Sequence, residues 1–185
     1  MVEYTDEQLI KGYLSGQEEM FVKLLKRHSA GLYGFVARYL GYGPAAEDLV
    51  QDIFIKAWKN LRKFDTRRKF KTWLFKVARN TIIDYWRANK IQTKIVADDQ
   101  YEDELNNIVD LAPSPLEQTV RWQDAELVRQ AMSKLPEIYQ TILIMYYLQE
   151  FSLAEIAEAT DLPMNTVKSQ HRRALIKIRQ ILAEM

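Results

Sequence analysis

Cysteine is absent from the 185 residues, and histidine occurs only as His28 and His171. Disulfides, thiolate metal sites and a cysteine nucleophile are therefore excluded, and no imidazole cluster is left to hold zinc. Neither a catalytic group, a metal nor a cofactor is expected, and His171, with no second ligand nearby, reads as a packing or phosphate-contact residue. No apolar run approaches the roughly 20 residues that cross a bilayer. Lys11, Gly12 and Ser15 interrupt the start before a signal-peptide core could form. The expectation is a cytoplasmic chain with no membrane insertion of its own. Period-two apolar alternation is missing as well, which argues against strands.

What is present is globular in proportion: 48% apolar and 28% charged residues, enough to build one medium core or two small ones. The net charge of +1 conceals a strong segregation. Up to Lys90 there are 17 Lys and Arg against 10 Asp and Glu; from Ile91 to Glu117 the ratio is 1 to 7; afterwards it is 8 to 8. A basic unit, an acidic connector and a balanced unit follow from those ratios.

Helical signals fill both flanking units. Thr5-Asp6-Glu7-Gln8 has capping-box spacing ahead of Leu9, Ile10 and Tyr13. From Met20 to Leu40 apolar residues recur at the helical repeat until Gly41-Tyr42-Gly43 stops them. Pro44 suits the first turn of the next helix, whose expected buried stripe is Leu49, Val50, Ile53, Phe54, Ala57, Trp58 and Leu61. A further stripe runs Trp73, Leu74, Val77, Ala78, Thr81, Ile82 and Tyr85, and the basic stretch Lys63 to Lys71 before it reads as a loop. Residues 91–117, acidic and closed by Pro113-Ser114-Pro115, carry too little apolar content for a core and read as a flexible linker. Beyond it, Val120, Leu127, Val128, Ala131 and Leu135 resume the helical period, and Pro136 opens a helix to about Gln149. The fold class expected is all-α: two small helical domains, 1–90 and 118–185, joined by the acidic linker.

The end of the chain is more specific. Ser152-Leu153-Ala154-Glu155 is a second capping box, the helix it starts breaks at Asp161-Leu162-Pro163, and a longer helix follows. Two helices with a tight turn, small Ala157 at the expected crossing, and apolar Ile156, Leu162 and Val167 around the turn form a helix-turn-helix pattern. Asn165, Thr166, Lys168, Ser169, Arg172 and Arg173 are the residues of the second helix expected to reach base edges and phosphates of duplex DNA. Earlier in the chain, the stretch from Lys56 to Lys90 sets 12 Lys and Arg against Asp65 and Asp84, interleaved with Phe64, Phe70, Trp73, Tyr85 and Trp86. Cations with aromatics suit melted single strands, because stacking contributes about 1–3 kcal/mol per base whatever the base.

AEDLVQDIFIKAWKNL, KFKTWLFKVARNTIIDYWRANK and LPMNTVKSQHRRALIKIR, in that order, resemble the motifs of extracytoplasmic-function sigma factors of the sigma-70 family. The resemblance implies a subunit that binds core RNA polymerase and directs promoter-specific initiation, reading a −35 element as duplex and holding a −10 element melted. It implies that Asp48, Gln51 and Asp52, with Ile55 beside them, face the polymerase clamp helices. It assigns the −10 element to Lys69, Phe70, Lys71, Thr72, Lys76, Arg79 and Asn80, with Asp84 and Arg87 added. Trp73 matches a family tryptophan, but its place in the apolar stripe reads as core. The −35 element falls to the six residues of the final helix. Ile142 to Leu148, apolar around the whole helix, would dock the polymerase flap tip, and an anti-sigma factor would hold the chain inactive. Two departures are His171, at a position often aliphatic in the family, and Leu175-Ile176 in place of a more basic tail. The rivals are a stand-alone helix-turn-helix activator and, far weaker, a nucleic-acid enzyme holding magnesium on Asp48 and Asp52, which no further carboxylate cluster or phosphate-binding loop accompanies.

Overall fold

The computed structural model describes residues 4–89 and 122–185, and all regular structure among them is helical. The acidic stretch expected to be the linker lies outside the described residues. The helices are α1 (Asp6–Leu14), α2 (Glu18–Leu40), α3 (Pro44–Asn60), α4 (Phe70–Ala88), α5 (Trp122–Ser133), α6 (Glu137–Leu143), α7 (Leu153–Thr160) and α8 (Met164–Ala183). A short 3-10 turn, Leu61–Lys63, ends α3, and a π-helical turn, Ile144–Leu148, prolongs α6.

Local chemistry sets the boundaries. The Thr5 hydroxyl accepts from the Gln8 backbone N–H while the Gln8 side chain accepts from the Thr5 N–H, at 3.3 and 2.8 Å. Ser152 and Glu155 make the same reciprocal pair at the start of α7. Gly41 and Gly43, with φ of 84° and 145°, take backbone conformations that a side chain would strain, and so turn the chain from α2 into α3. Pro44 occupies the first turn of α3, where no N–H is required. Asp161 ends α7 in the left-handed region at φ 58°, which Asp tolerates better than most residues.

The described residues form two compact units that interleave along the chain. The first holds residues 4–89 together with 144–167; the second holds 122–143 together with 168–185. In the first, α2 packs on α1, α3 and α4, and α7 packs along α4. Its interior is built from Leu9, Ile10, Leu24, Leu32, Phe35, Ile53, Leu61, Leu74, Phe75 and Ile82, all essentially without solvent exposure. Burying each such side chain stabilises by about 1.5–3 kcal/mol, so these positions dominate the unit. Asp6 fastens α1 to α2, accepting from Arg27 at 2.7 Å and meeting His28 Nε2 at 2.8 Å. Burial works to raise the Asp6 pKa, but the bonds from His28 and Arg27 outweigh it and hold the carboxyl below its ordinary value.

In the second unit Ala131, Leu135, Tyr139, Leu143, Ala174, Ile178 and Ile181 form one buried cluster, flanked by Met132, Ile138, Leu175 and Leu182. Positions 174, 178 and 181 share one face of α8. Leu127, expected in the apolar repeat, is 42% exposed and stands outside the cluster.

Candidate nucleic-acid and partner-binding surfaces

Four residues of α3 share one outward face. Asp48, Gln51, Asp52 and Ile55 follow the i, i+3, i+4, i+7 spacing of a single helical stripe, and all four are exposed. The buried side is Ala46, Leu49, Val50, Ile53 and Ala57, as the periodicity predicts, while Phe54 is half-buried. Trp58 corrects the expected stripe: it is 48% exposed, and its indole N–H donates to the Tyr13 hydroxyl instead of entering the core. The α3 core side is already filled by Ala57 and Leu61. Three residues after Ile55, Trp58 lengthens the exposed stripe, and that spacing was the signal that could have found it.

The loop before α4 is organised by Asp65. Its carboxylate accepts from the Arg67 backbone N–H at 3.1 Å and from the guanidinium at 2.9 Å. Those bonds lower its pKa to about 2. Phe64, Phe70 and Trp73 then form an aromatic cluster with ring centroids 5.0–5.8 Å apart. Phe70 also meets the His28 ring at 5.3 Å. Within that cluster Phe70 is 2% exposed, and Thr72 beside it is 1% exposed. In this conformation neither side chain of this pair reaches solvent or a strand, whereas Trp73 is half-buried at the edge of the cluster. Asn80, Asp84 and Arg87 are exposed along α4 and Arg79 is half-buried. Asp84 has Lys56 at 3.8 Å and Arg87 at 4.0 Å, contacts too long and too wet to hold it firmly.

The remaining cations at the start of α4 are engaged. Lys69 meets Glu155 at 2.8 Å, Arg68 meets Glu158 at 3.4 Å, and Lys76 meets Asp161 at 2.5 Å. Lys71 donates to the Gln149 carbonyl at 2.5 Å and lies 4.8 Å above the Phe151 ring. Phe151 is 3% exposed and packs edge-on against Phe75 at 5.1 Å. The Gln149 amide donates to the Gly31 carbonyl at 3.3 Å, and a Cβ at Gly31 would stand 3.1 Å from Gln149 Oε1. Exposed ion pairs contribute about 0–1 kcal/mol each, less than one buried aromatic, so Phe151 seats α7 and the ion pairs orient it. Partial burial raises the Glu155 pKa, but hydrogen bonds from Lys69 and Ser152 more than offset this and bring it down to about 2.

On α8, Asn165, Lys168, Ser169 and Arg172 are exposed and Thr166 and Arg173 half-exposed. Val167, Ala174, Ile178 and Ile181 are buried, so the six polar residues share the outward side with little interruption. Burial pushes the His171 imidazole pKa down, favouring its neutral form. Of the apolar run from 142 to 148, Ile142, Leu143, Ile144 and Met145 are buried, whereas Tyr146, Tyr147 and Leu148 are 37–50% exposed. Among the described residues no cluster of His, Asp and Glu could hold a metal ion, and no helix is long and apolar enough to cross a membrane.

The model of Sigma-70 region 2 matches residues 24–91, and that of Sigma-70, region 4 matches residues 125–178. The ECF RNA polymerase sigma factor SigW of Bacillus subtilis is 31% identical over 179 residues, 95% of this chain and 96% of the relative. The ECF RNA polymerase sigma-E factor of Haemophilus influenzae is 28% identical over 173 residues, covering 92% and 91%. Among solved structures, CnrH in complex with the cytosolic domain of CnrY is similar at a TM-score of 0.69 and 25% identity over 97% of both chains. The sigma factor RpoE in complex with the anti-sigma factor NepR, from Bartonella quintana, shares the fold at a TM-score of 0.66 and 24% identity, over 88% of this chain and 96% of that one.

Proposed function

The chain belongs to the extracytoplasmic-function sigma factors, and on that premise we propose that it mounts on core RNA polymerase, reads a −35 element as duplex and holds a −10 element melted. The sequence division at 1–90, 91–117 and 118–185 is kept as the functional one. Asp48, Gln51, Asp52 and Ile55 are the contact to the clamp helices, an acidic stripe with one exposed aliphatic suited to a basic helical partner. Trp58 joins them. Tyr146, Tyr147 and Leu148 offer the apolar ground for the flap tip.

Asn165, Thr166, Lys168, Ser169, Arg172 and Arg173 read the duplex from the major groove. Lys69, Phe70, Lys71, Thr72, Lys76, Arg79, Asn80, Asp84 and Arg87 capture the non-template strand, with binding energy rather than ATP holding the bases apart. RNA synthesis belongs to the core enzyme; the relatives are initiation factors. By analogy with CnrH and RpoE, each solved with a partner chain, an anti-sigma factor restrains this chain.

The observation that carries this reading is the pairing, in one chain, of a cationic and aromatic α4 region with a separate polar, basic α8 face. A stand-alone activator uses the second and leaves the first idle. Run-off transcription on fragmented genomic DNA, with purified core polymerase and the full chain, tests it. Discrete start sites that depend on the added chain are expected; strong sequence-specific duplex binding without polymerase, and no start sites with it, would favour the activator.

A further inference from the structure

We infer that the free chain masks its own strand-capturing surface, with the acidic edge of α7 standing in for DNA phosphates. The inference rests on the −10 assignment above. Glu155, Glu158 and Asp161 recur every three residues along one edge of α7 and its C-cap. Their partners are Lys69, Arg68 and Lys76, and two of those three belong to the proposed strand-binding set. The remaining early cation of that set, Lys71, is taken by the Gln149 carbonyl and the Phe151 ring. Carboxylates 2.5–3.4 Å from these cations occupy the positions that backbone phosphates would take.

The seat beneath them is apolar and buried, through Phe151 on Phe75, so the charges are held in register rather than meeting by chance. Strand capture therefore requires α7 to leave α4. A mask that is closed in about nine molecules of ten lowers apparent affinity about tenfold.

The test compares three full-length chains for binding of a fluorescein-labelled oligothymidylate by fluorescence anisotropy across a salt series. They are the natural chain, Glu155→Gln/Glu158→Gln/Asp161→Asn, and Glu18→Gln/Glu19→Gln/Glu47→Gln as a control of equal charge at exposed positions. Gln at 155 still serves a capping box, and Asn tolerates the left-handed conformation at 161. The α7 variant is expected to bind about tenfold tighter than the natural chain, with a salt slope steeper by about 1.4 as Lys69 and Lys76 return to the phosphates. The single Asp161→Asn, which frees Lys76 alone, is expected to steepen the slope by about 0.7. Equal affinity and slope in natural and α7-variant chains, or an equal gain in the control, would overturn the mask. Run-off transcription with core polymerase is measured in parallel. Transcription intact with strand binding unchanged refutes only the mask, whereas no transcription from any chain refutes the function on which it rests.

Discussion

The outer face of α3 and the start of α4 lie in the same compact unit, yet one is vacant and the other is filled. Asp48, Gln51, Asp52 and Ile55 are exposed, and no ion pair among the described residues engages either carboxylate. Lys69, Lys71 and Lys76 are each engaged by residues 149–161 of their own chain. On the proposed assignments, the difference implies an order of events: the polymerase surface is ready at once, and the DNA surface must first be released. Such an order keeps a basic, aromatic patch from trapping stray single strands before promoter engagement.

The ready surface gives the largest expected effect. Asp48→Arg/Asp52→Arg reverses both charges on the α3 stripe and is expected to cost about 2 kcal/mol or more of core affinity, roughly thirtyfold. Competition against the natural chain for labelled core enzyme reads that loss, and an unchanged affinity would detach α3 from the polymerase. A smaller effect separates the second surface from the first. Asn80→Ala is expected to reduce promoter opening about tenfold, the scale of one hydrogen bond lost to the captured strand, with core affinity unaltered. Permanganate reactivity equal to that of the natural chain would remove Asn80 from strand capture.

The smallest effect is a pH dependence. Because the Glu155 pKa is lowered from 4.5 to about 2, its contribution to stability is complete above the unfolded value and fades as pH falls from about 4.5 towards 2. Urea unfolding of the natural chain and Glu155→Gln should therefore differ at neutral pH and converge towards pH 2. A gap that persists at pH 2 would show that Lys69 and Ser152 do not depend on that charge.

Local chemistry was legible in the sequence wherever a signal lies within a few residues. The Thr5 and Ser152 capping boxes, Pro44 in the first turn of α3, and the break at Asp161 all stand where periodicity and cap preferences put them. Trp58 departs from the expected stripe because a large apolar residue at its margin satisfies the period on either side, and the polar partner Tyr13 lies 45 positions away. The packing of α7 on α4 was invisible for the same reason in stronger form. Lys76 and Asp161 are 85 positions apart, and a balance of 8 against 8 charges after Glu117 hid the three carboxylates aligned on one edge. The resemblance places Phe70 and Thr72 in the DNA-facing set; their burial depends on how Phe64, Trp73 and His28 close around the first turn of α4, which a one-dimensional pattern does not encode.

The most direct measurement uses the absence of native cysteine. Spin labels on Ala88→Cys of α4 and Ala154→Cys of α7, both exposed and outside the ion pairs, report by pulsed electron resonance whether α7 rests on α4. A short distance in the free chain that lengthens when core polymerase and promoter DNA are added is the expected result. A long distance in the free chain, or a short one that persists in a transcribing complex, would contradict the account.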